Sequence, residues 1–170
     1  MKNTKKIVLL SIFTSLSVVL SIVDSMITEA AFSFIPMARI GLANVIVLLV
    51  AMNFRFEEGL VLVLIKSLLA NLLYRGPIAF IIGGTASLIS FLVMYYLFKL
   101  AKTKLSEVGI SVAGGFAHIV TQLLVTAFIY HMQEEIIIYG VLLVLLSLVT
   151  SIIIGFIVQK LAVYYHRITE

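Results

Sequence analysis

The sequence predicts an all-α membrane protein, a bundle of six transmembrane helices with both termini on the cytoplasmic side. Three observations predict it. The chain of 170 residues is 62% hydrophobic and only 12% charged, about half the charge of a water-soluble domain, and its mean hydropathy is +1.22. Its apolar residues fall in continuous runs close to the ~20 residues a helix needs to cross the hydrocarbon core, not in the alternation of a membrane barrel. Its basic residues are unevenly shared between alternate connections, the usual mark of a fixed orientation.

The elements follow in order. Lys2, Lys5 and Lys6 precede the first apolar segment, about 7–27. It opens like a signal peptide, but its run is longer than the usual apolar region and ends at Asp24 without a small-residue cleavage pattern, so a retained anchor is expected. Pro36 and mixed charge mark an outer connection before the second segment, 39–54, which is short for a span and needs a thinned bilayer or neighbouring residues. A polar turn, Arg55 to Glu58, leads into the third segment, 59–74, closed by Arg75, Gly76 and Pro77. The fourth, 78–98, carries no charge before Lys99, and the basic stretch continues through Lys102 and Lys104. The fifth covers 109–130, and an acidic turn, His131 to Glu135, precedes the sixth, 136–161. Lys2, Lys5, Lys6, Arg55, Lys99, Lys102, Lys104, Lys160 and Arg167 collect on one side, against Arg39 and Arg75 on the other, so the first side is cytoplasmic. The chain reads as one integral membrane domain, 1–170.

Composition excludes much. Cys is absent, which removes disulfides, thiolate nucleophiles and thiolate metal sites. The net charge of +4 and pI near 9.4 do not indicate nucleic acid, because the basic residues cap apolar runs instead of forming one face. The spans leave no length for a soluble catalytic domain. No phosphate-binding loop, dinucleotide turn, paired-carboxylate site or Ser-His-Asp pattern is present, and Asp24 is the only Asp, so the clustered aspartates of a prenyltransferase are missing. No catalytic residue, cofactor or metal is expected, and any ATP must bind on another subunit.

Polar groups inside apolar runs are costly and stand as candidates for function. Arg39 and Asn44 in the second segment, with Asn71 and Arg75 one turn apart in the third, could form an outward-facing polar pocket for an anionic or phosphate-bearing ligand. Alternatively the Arg residues anchor helix ends and the amides bond between helices. His118 and Gln122 share a face of the fifth segment, for substrate, for proton relay or for a neighbouring carbonyl. Lys66, about 10 Å into the third segment, either snorkels or is buried and paired. Ala79, Gly83 and Ser87, continued by Gly84, Ala86 and Ser90, permit close helix packing, as do Ser11 and Ser15, with Ser17 and Ser21 on a second stripe.

MARIGLANVIVLL, GGTASLISFLVM and GGFAHIVTQLLVTA together resemble the small membrane family of Gx transporters, whose members also carry the label heptaprenyl diphosphate synthase component I. The resemblance spans roughly residues 5–160. That family is similar in size and six-helix layout to the substrate-binding S components of energy-coupling factor (ECF) transporters, which capture ligand from the outer side and dock through helix one on a coupling subunit. The resemblance implies that Ser11 and Ser15 face a membrane coupling subunit joined to ATPase subunits, although Ser stands where the S-component pattern has Ala. With no diphosphate chemistry in the residues, the synthase label implies an association with isoprenoid or quinone metabolism. A bacterial cytoplasmic-membrane component is expected, capturing a prenyl, quinone or flavin-related precursor through Arg39, Asn44, Asn71, Arg75, His118 and Gln122. The alternatives are a non-catalytic accessory of an isoprenoid, quinone or extracellular electron-transfer assembly, and an intramembrane enzyme subunit dependent on His118 or Lys66.

Overall fold

The computed structural model describes residues 3–31, 41–101, 105–131 and 134–169. Six helices hold nearly all of them, and no strand occurs among the described residues. They are α1 (Asn3–Ala31), α2 (Asn44–Asn53), α3 (Phe56–Tyr74), α4 (Pro77–Ala101), α5 (Glu107–Tyr130) and α6 (Glu134–Thr169). Four of them, α1, α4, α5 and α6, are long and apolar enough to cross a membrane.

Local chemistry sets the helix ends. The backbone N–H of Arg55 donates to the Glu58 carboxylate at 2.9 Å, satisfying a donor at the start of α3. Gly76, at φ +87°, turns the chain out of α3, and Pro77 takes the first position of α4, where its missing N–H costs nothing. The Ser106 hydroxyl caps α5 by accepting the Gly109 N–H at 3.2 Å.

The second segment departs most from expectation. Gly41 to Ala43 form a turn, with Gly41 at φ +85°, and the helix starts at Asn44 instead of near residue 39. With ten residues, α2 spans about 15 Å, half the hydrocarbon thickness. It is encased by all five other helices, and every residue from Val45 to Ala51 is buried. Around it lie Leu62 and Val63 of α3, Phe91 and Met94 of α4, Ile110 of α5, and Ile154 and Val158 of α6.

On the outside the pattern is inverted relative to a soluble protein. Leu100 is 79% exposed, Leu124 65% and Phe128 81%, surfaces suited to lipid. In α1, Ile12, Leu16, Val19, Val23 and Met26 face outward, while Ser17, Ser21, Asp24, Ser25 and Thr28 are buried. The α1 hydroxyls bond back to their own helix: Ser17 to the Thr14 carbonyl at 2.8 Å, Ser25 to Ser21 at 3.1 Å, Thr28 to Asp24 at 2.6 Å.

Helices α4, α5 and α6 are knit into a wall. Ser90 donates to the Gly114 carbonyl at 2.8 Å, Ser111 to the Ser151 carbonyl at 2.7 Å, and Ser147 to the Gly115 carbonyl at 3.1 Å. At Gly155 a side chain would meet the Val108 backbone at 2.5 Å, so α5 and α6 nearly touch main chain to main chain. Among the described helices, the backbone of α1, by contrast, packs only on α2 and α3.

Candidate functional site

The buried stripe of α1 leads to one interior cavity. It is lined by Ser21 and Asp24 of α1, Gly41, Ala43 and Asn44 at the start of α2, Lys66 of α3, Gly115, His118 and Ile119 of α5, and Ser147 and Ser151 of α6. Five helices thus contribute to a space of about 20 Å³, room for about one water molecule.

Asp24 is its centre. The Gly41 N–H donates to both carboxylate oxygens, at 3.1 Å each, which seats a negative charge where the partial positive charge of the α2 N-terminus is greatest. Gly41 is required here because its positive φ strains any other residue, and an added Cβ would also press on the Asn44 amide at 3.2 Å. Asn44 starts the helix by donating its backbone N–H to the Gly41 carbonyl at 2.8 Å.

Lys66 is 3% exposed and Asp24 4%. Asp24 and Lys66 thus bring groups of opposite charge to one small cavity, and buried ions are tolerated where opposite charges lie close together. Burial therefore decides between the two readings of Lys66: it lies inside the bundle and does not snorkel. His118, 8% exposed, adds an imidazole that can donate or accept. Ser147 and Ser151 fix the α6 side through their bonds to α5.

The sequence-derived candidates separate into three groups. Asn44 and His118 line the cavity. Asn71 and Gln122 are buried but are not among its lining residues. Asn71 lies five positions beyond Lys66 toward Arg75 and donates to the Ser67 carbonyl at 2.9 Å. Gln122 lies one turn beyond His118 on α5. Arg75 closes a clamp at the end of α3: its guanidinium is 3.2 Å from Glu29, whose other oxygen accepts the Tyr74 hydroxyl at 3.0 Å. Arg39 lies outside the described residues.

Asp24 is the ionisable lining residue that the candidates lacked, while Lys66 was named as a candidate but not among the expected ligand contacts. Asp24 was expected near the outer boundary because the first span was ended at Ile27. The helix continues to Ala31, which puts Asp24 about 10 Å inside its end. The signal was present in the spacing of Ser17, Ser21, Asp24, Ser25 and Thr28, which places five polar side chains on one helical stripe.

Ser11 and Ser15 are exposed, on a groove of about 510 Å³ between α1 and α3 whose other walls are Ile7, Leu10, Thr14, Val18, Val19, Val61, Ile65 and Leu69. Ser17 and Ser21 face inward, so the two serine stripes serve opposite sides of α1. Among the described residues no group of three His, Asp or Glu is placed to hold a metal ion.

Residues 13–161 match the family model described as heptaprenyl diphosphate synthase component I. No curated protein and no solved structure matches the chain.

Proposed function

The chain belongs to the heptaprenyl diphosphate synthase component I family, and from that membership and its buried polar site we propose that it is a non-catalytic membrane component that captures a small molecule. The observation that carries this reading is the convergence of Asp24, Lys66 and His118, from three helices, on one interior cavity. Ionisable groups inside a membrane bundle are expensive, and a bundle that needed only stability would have filled these positions with apolar side chains.

In this reading the chain is a six-span protein of the bacterial cytoplasmic membrane with both termini inside, and ligand enters from the outer side. The described cavity is the closed state, and capture of a prenyl, quinone or flavin-related precursor requires α1 to move, since its backbone packs on α2 and α3 and not on the α4–α5–α6 wall. The groove beside Ser11 and Ser15 is the docking face for a membrane coupling subunit that brings ATPase subunits. A second reading is favoured by the small cavity volume and by the words "component I", which imply a second component: a non-catalytic accessory that holds an isoprenoid or quinone assembly together.

Native mass spectrometry of the protein extracted gently from its own membrane separates the two. Capture predicts a retained small molecule that is lost on His118→Ala or Lys66→Met, together with an ATPase-bearing partner. An empty bundle recovered repeatedly with isoprenoid or redox proteins overturns capture in favour of the accessory role.

A further inference from the structure

Around the cavity the balance of charge and donors is one-sided. Lys66 contributes an ammonium, the α2 N-terminus a partial positive charge and the Gly41 amide a donor, while Asn44, His118, Ser21 and Ser151 add groups able to donate. Asp24 is the single carboxylate among the lining residues, and it is carried by α1. Ser21 shares α1 with it, and the remaining lining residues belong to the turn that opens α2 and to α2, α3, α5 and α6. The acceptor is thus mounted on the helix that meets neither α4, α5 nor α6 through its backbone.

Resting on the capture reading above, we propose that this cavity is a carboxylate-binding subsite, with the Asp24 side chain as a tethered stand-in for an anionic group of the ligand. The ligand's carboxylate takes the place of the Asp24 carboxylate at the Gly41 amide and opposite Lys66. The volume selects the chemistry. Beside the Asp24 side chain only about 20 Å³ is free, so an incoming anion fits where that planar group now sits. A planar carboxylate reproduces the two oxygens that the Gly41 amide now meets, whereas a tetrahedral phosphate carries further oxygens with no counterpart in the Asp24 side chain. The exchange also has a mechanical result. Asp24 ties the last third of α1 to the start of α2, and its displacement loosens that part of the helix, while the Lys6–Glu58 and Glu29–Arg75 pairs and the packing of Phe13 on Phe54 and Tyr165 remain. Ligand occupancy inside the bundle is thereby conveyed to the helix that walls the groove beside Ser11 and Ser15. In the wild type the tethered carboxylate competes at high effective concentration, so free carboxylates bind weakly until it is removed.

The test uses the full chain in lipid nanodiscs and follows its unfolding midpoint against sodium formate, acetate, benzoate, chloride and inorganic phosphate. Asp24→Ala is expected to lower the midpoint by about 5–10 °C. Formate, acetate and benzoate then restore it saturably, at least tenfold more effectively than they act on the wild type, and the added Lys66→Met change abolishes the restoration. Chloride and phosphate have no such effect. Should Asp24→Ala fail to fold, Asp24→Asn, which keeps the shape and removes the charge, is expected to show stronger carboxylate stabilisation than the wild type. Absence of any anion effect in the folded variant overturns the proposal, as does equal restoration by chloride. Restoration by formate alone also overturns it, because that reports a hole the size of the deleted group and not a subsite opening onto a larger ligand. Carboxylate-specific restoration in a protein that retains no molecule from its own membrane sinks the capture reading while the subsite stands. A retained molecule lacking any carboxylate, in a protein whose variants ignore these anions, does the reverse.

Discussion

Helices α5 and α6, which run antiparallel, and helices α1 and α3, which run parallel, make two long contacts in the same bundle, joined in opposite ways. Between α5 and α6, glycine and serine bring the main chains together, and hydroxyl-to-carbonyl bonds run across the interface. Between α1 and α3 a groove of about 510 Å³ remains, and polar pairs hold the ends: Lys6–Glu58 at 2.8 Å and Glu29–Arg75 at 3.2 Å. In lipid, apolar contact alone gives helices little reason to associate, so close packing and polar bonds decide which contacts last. The contrast teaches that α5 and α6, backed by α4, form the fixed side of the cavity, and that α1 is the side that can leave.

The largest expected effect is at the tie that spans both regions. Lys66→Met leaves Asp24 without the ammonium that shares its cavity, with an expected loss of about 3 kcal/mol in thermal or denaturant unfolding. Combining it with Asp24→Asn should recover much of that loss, and strict additivity in this double-mutant cycle would show that the two charges are near each other but not coupled.

Next comes the fixed wall. Gly155→Val drives a branched side chain into the Val108 backbone, and overpacking of this kind costs about 2 kcal/mol. Gly84→Ala, whose added methyl group would meet the Phe80 ring at 3.5 Å and Ser67 at 3.8 Å, ordinary contact distances, is the matched control and should change the midpoint little. If both substitutions are equally tolerated, the wall is not what makes the two regions differ.

Smaller effects are expected at the α1 clamps. Arg75→Ala should cost about 1 kcal/mol and raise amide exchange toward the Ala31 end of α1 without affecting α6, which hydrogen-exchange mass spectrometry can resolve. The smallest concerns acid. Burial opposes ionisation of Glu58, but the bond from Lys6, the Arg55 backbone N–H and the charges of Lys6 and Arg55 together hold its carboxyl below the ordinary value of 4.5. A folded-state value below the unfolded one means that the pair's contribution is complete above the unfolded value and disappears as pH falls through the folded one. The Lys6–Glu58 clamp should therefore loosen below about pH 4.5, by less than about 1 kcal/mol for so accessible a pair. Glu58→Gln should remove that acid dependence, and its persistence would assign the dependence to another group.

Hydropathy and end signals made the helical class and the order of six elements legible, because continuous apolar runs and the Gly76-Pro77 break act locally. Burial was less legible. The run in α2 is apolar on every side, and a helix enclosed by protein and one facing lipid have the same composition, so its length was read too generously. Lys66 shows the same limit: a lysine one or two turns from a helix end can reach out or turn in, and only the neighbours decide. His118 and Asn44 were found because an amide or imidazole stands out in an apolar run. Asp24 was passed over as a boundary mark, although the serines and threonine spaced with it recorded its inward direction. Glu29 and Arg75 lie 46 positions apart, and no spacing rule joins residues on different helices.

The enclosure of α2 has a consequence for how the protein is made. Ten residues give an insertion machinery too little length to recognise as a crossing, and the α4 and α6 surfaces that cover this helix emerge only later in synthesis. During translation α2 therefore has no lasting place, and its burial must wait for the carboxyl-terminal half of the chain. A nascent chain halted after α3 would hold Val45 to Ala51 covered by α1 and α3 alone, without the α4, α5 and α6 faces that complete their burial.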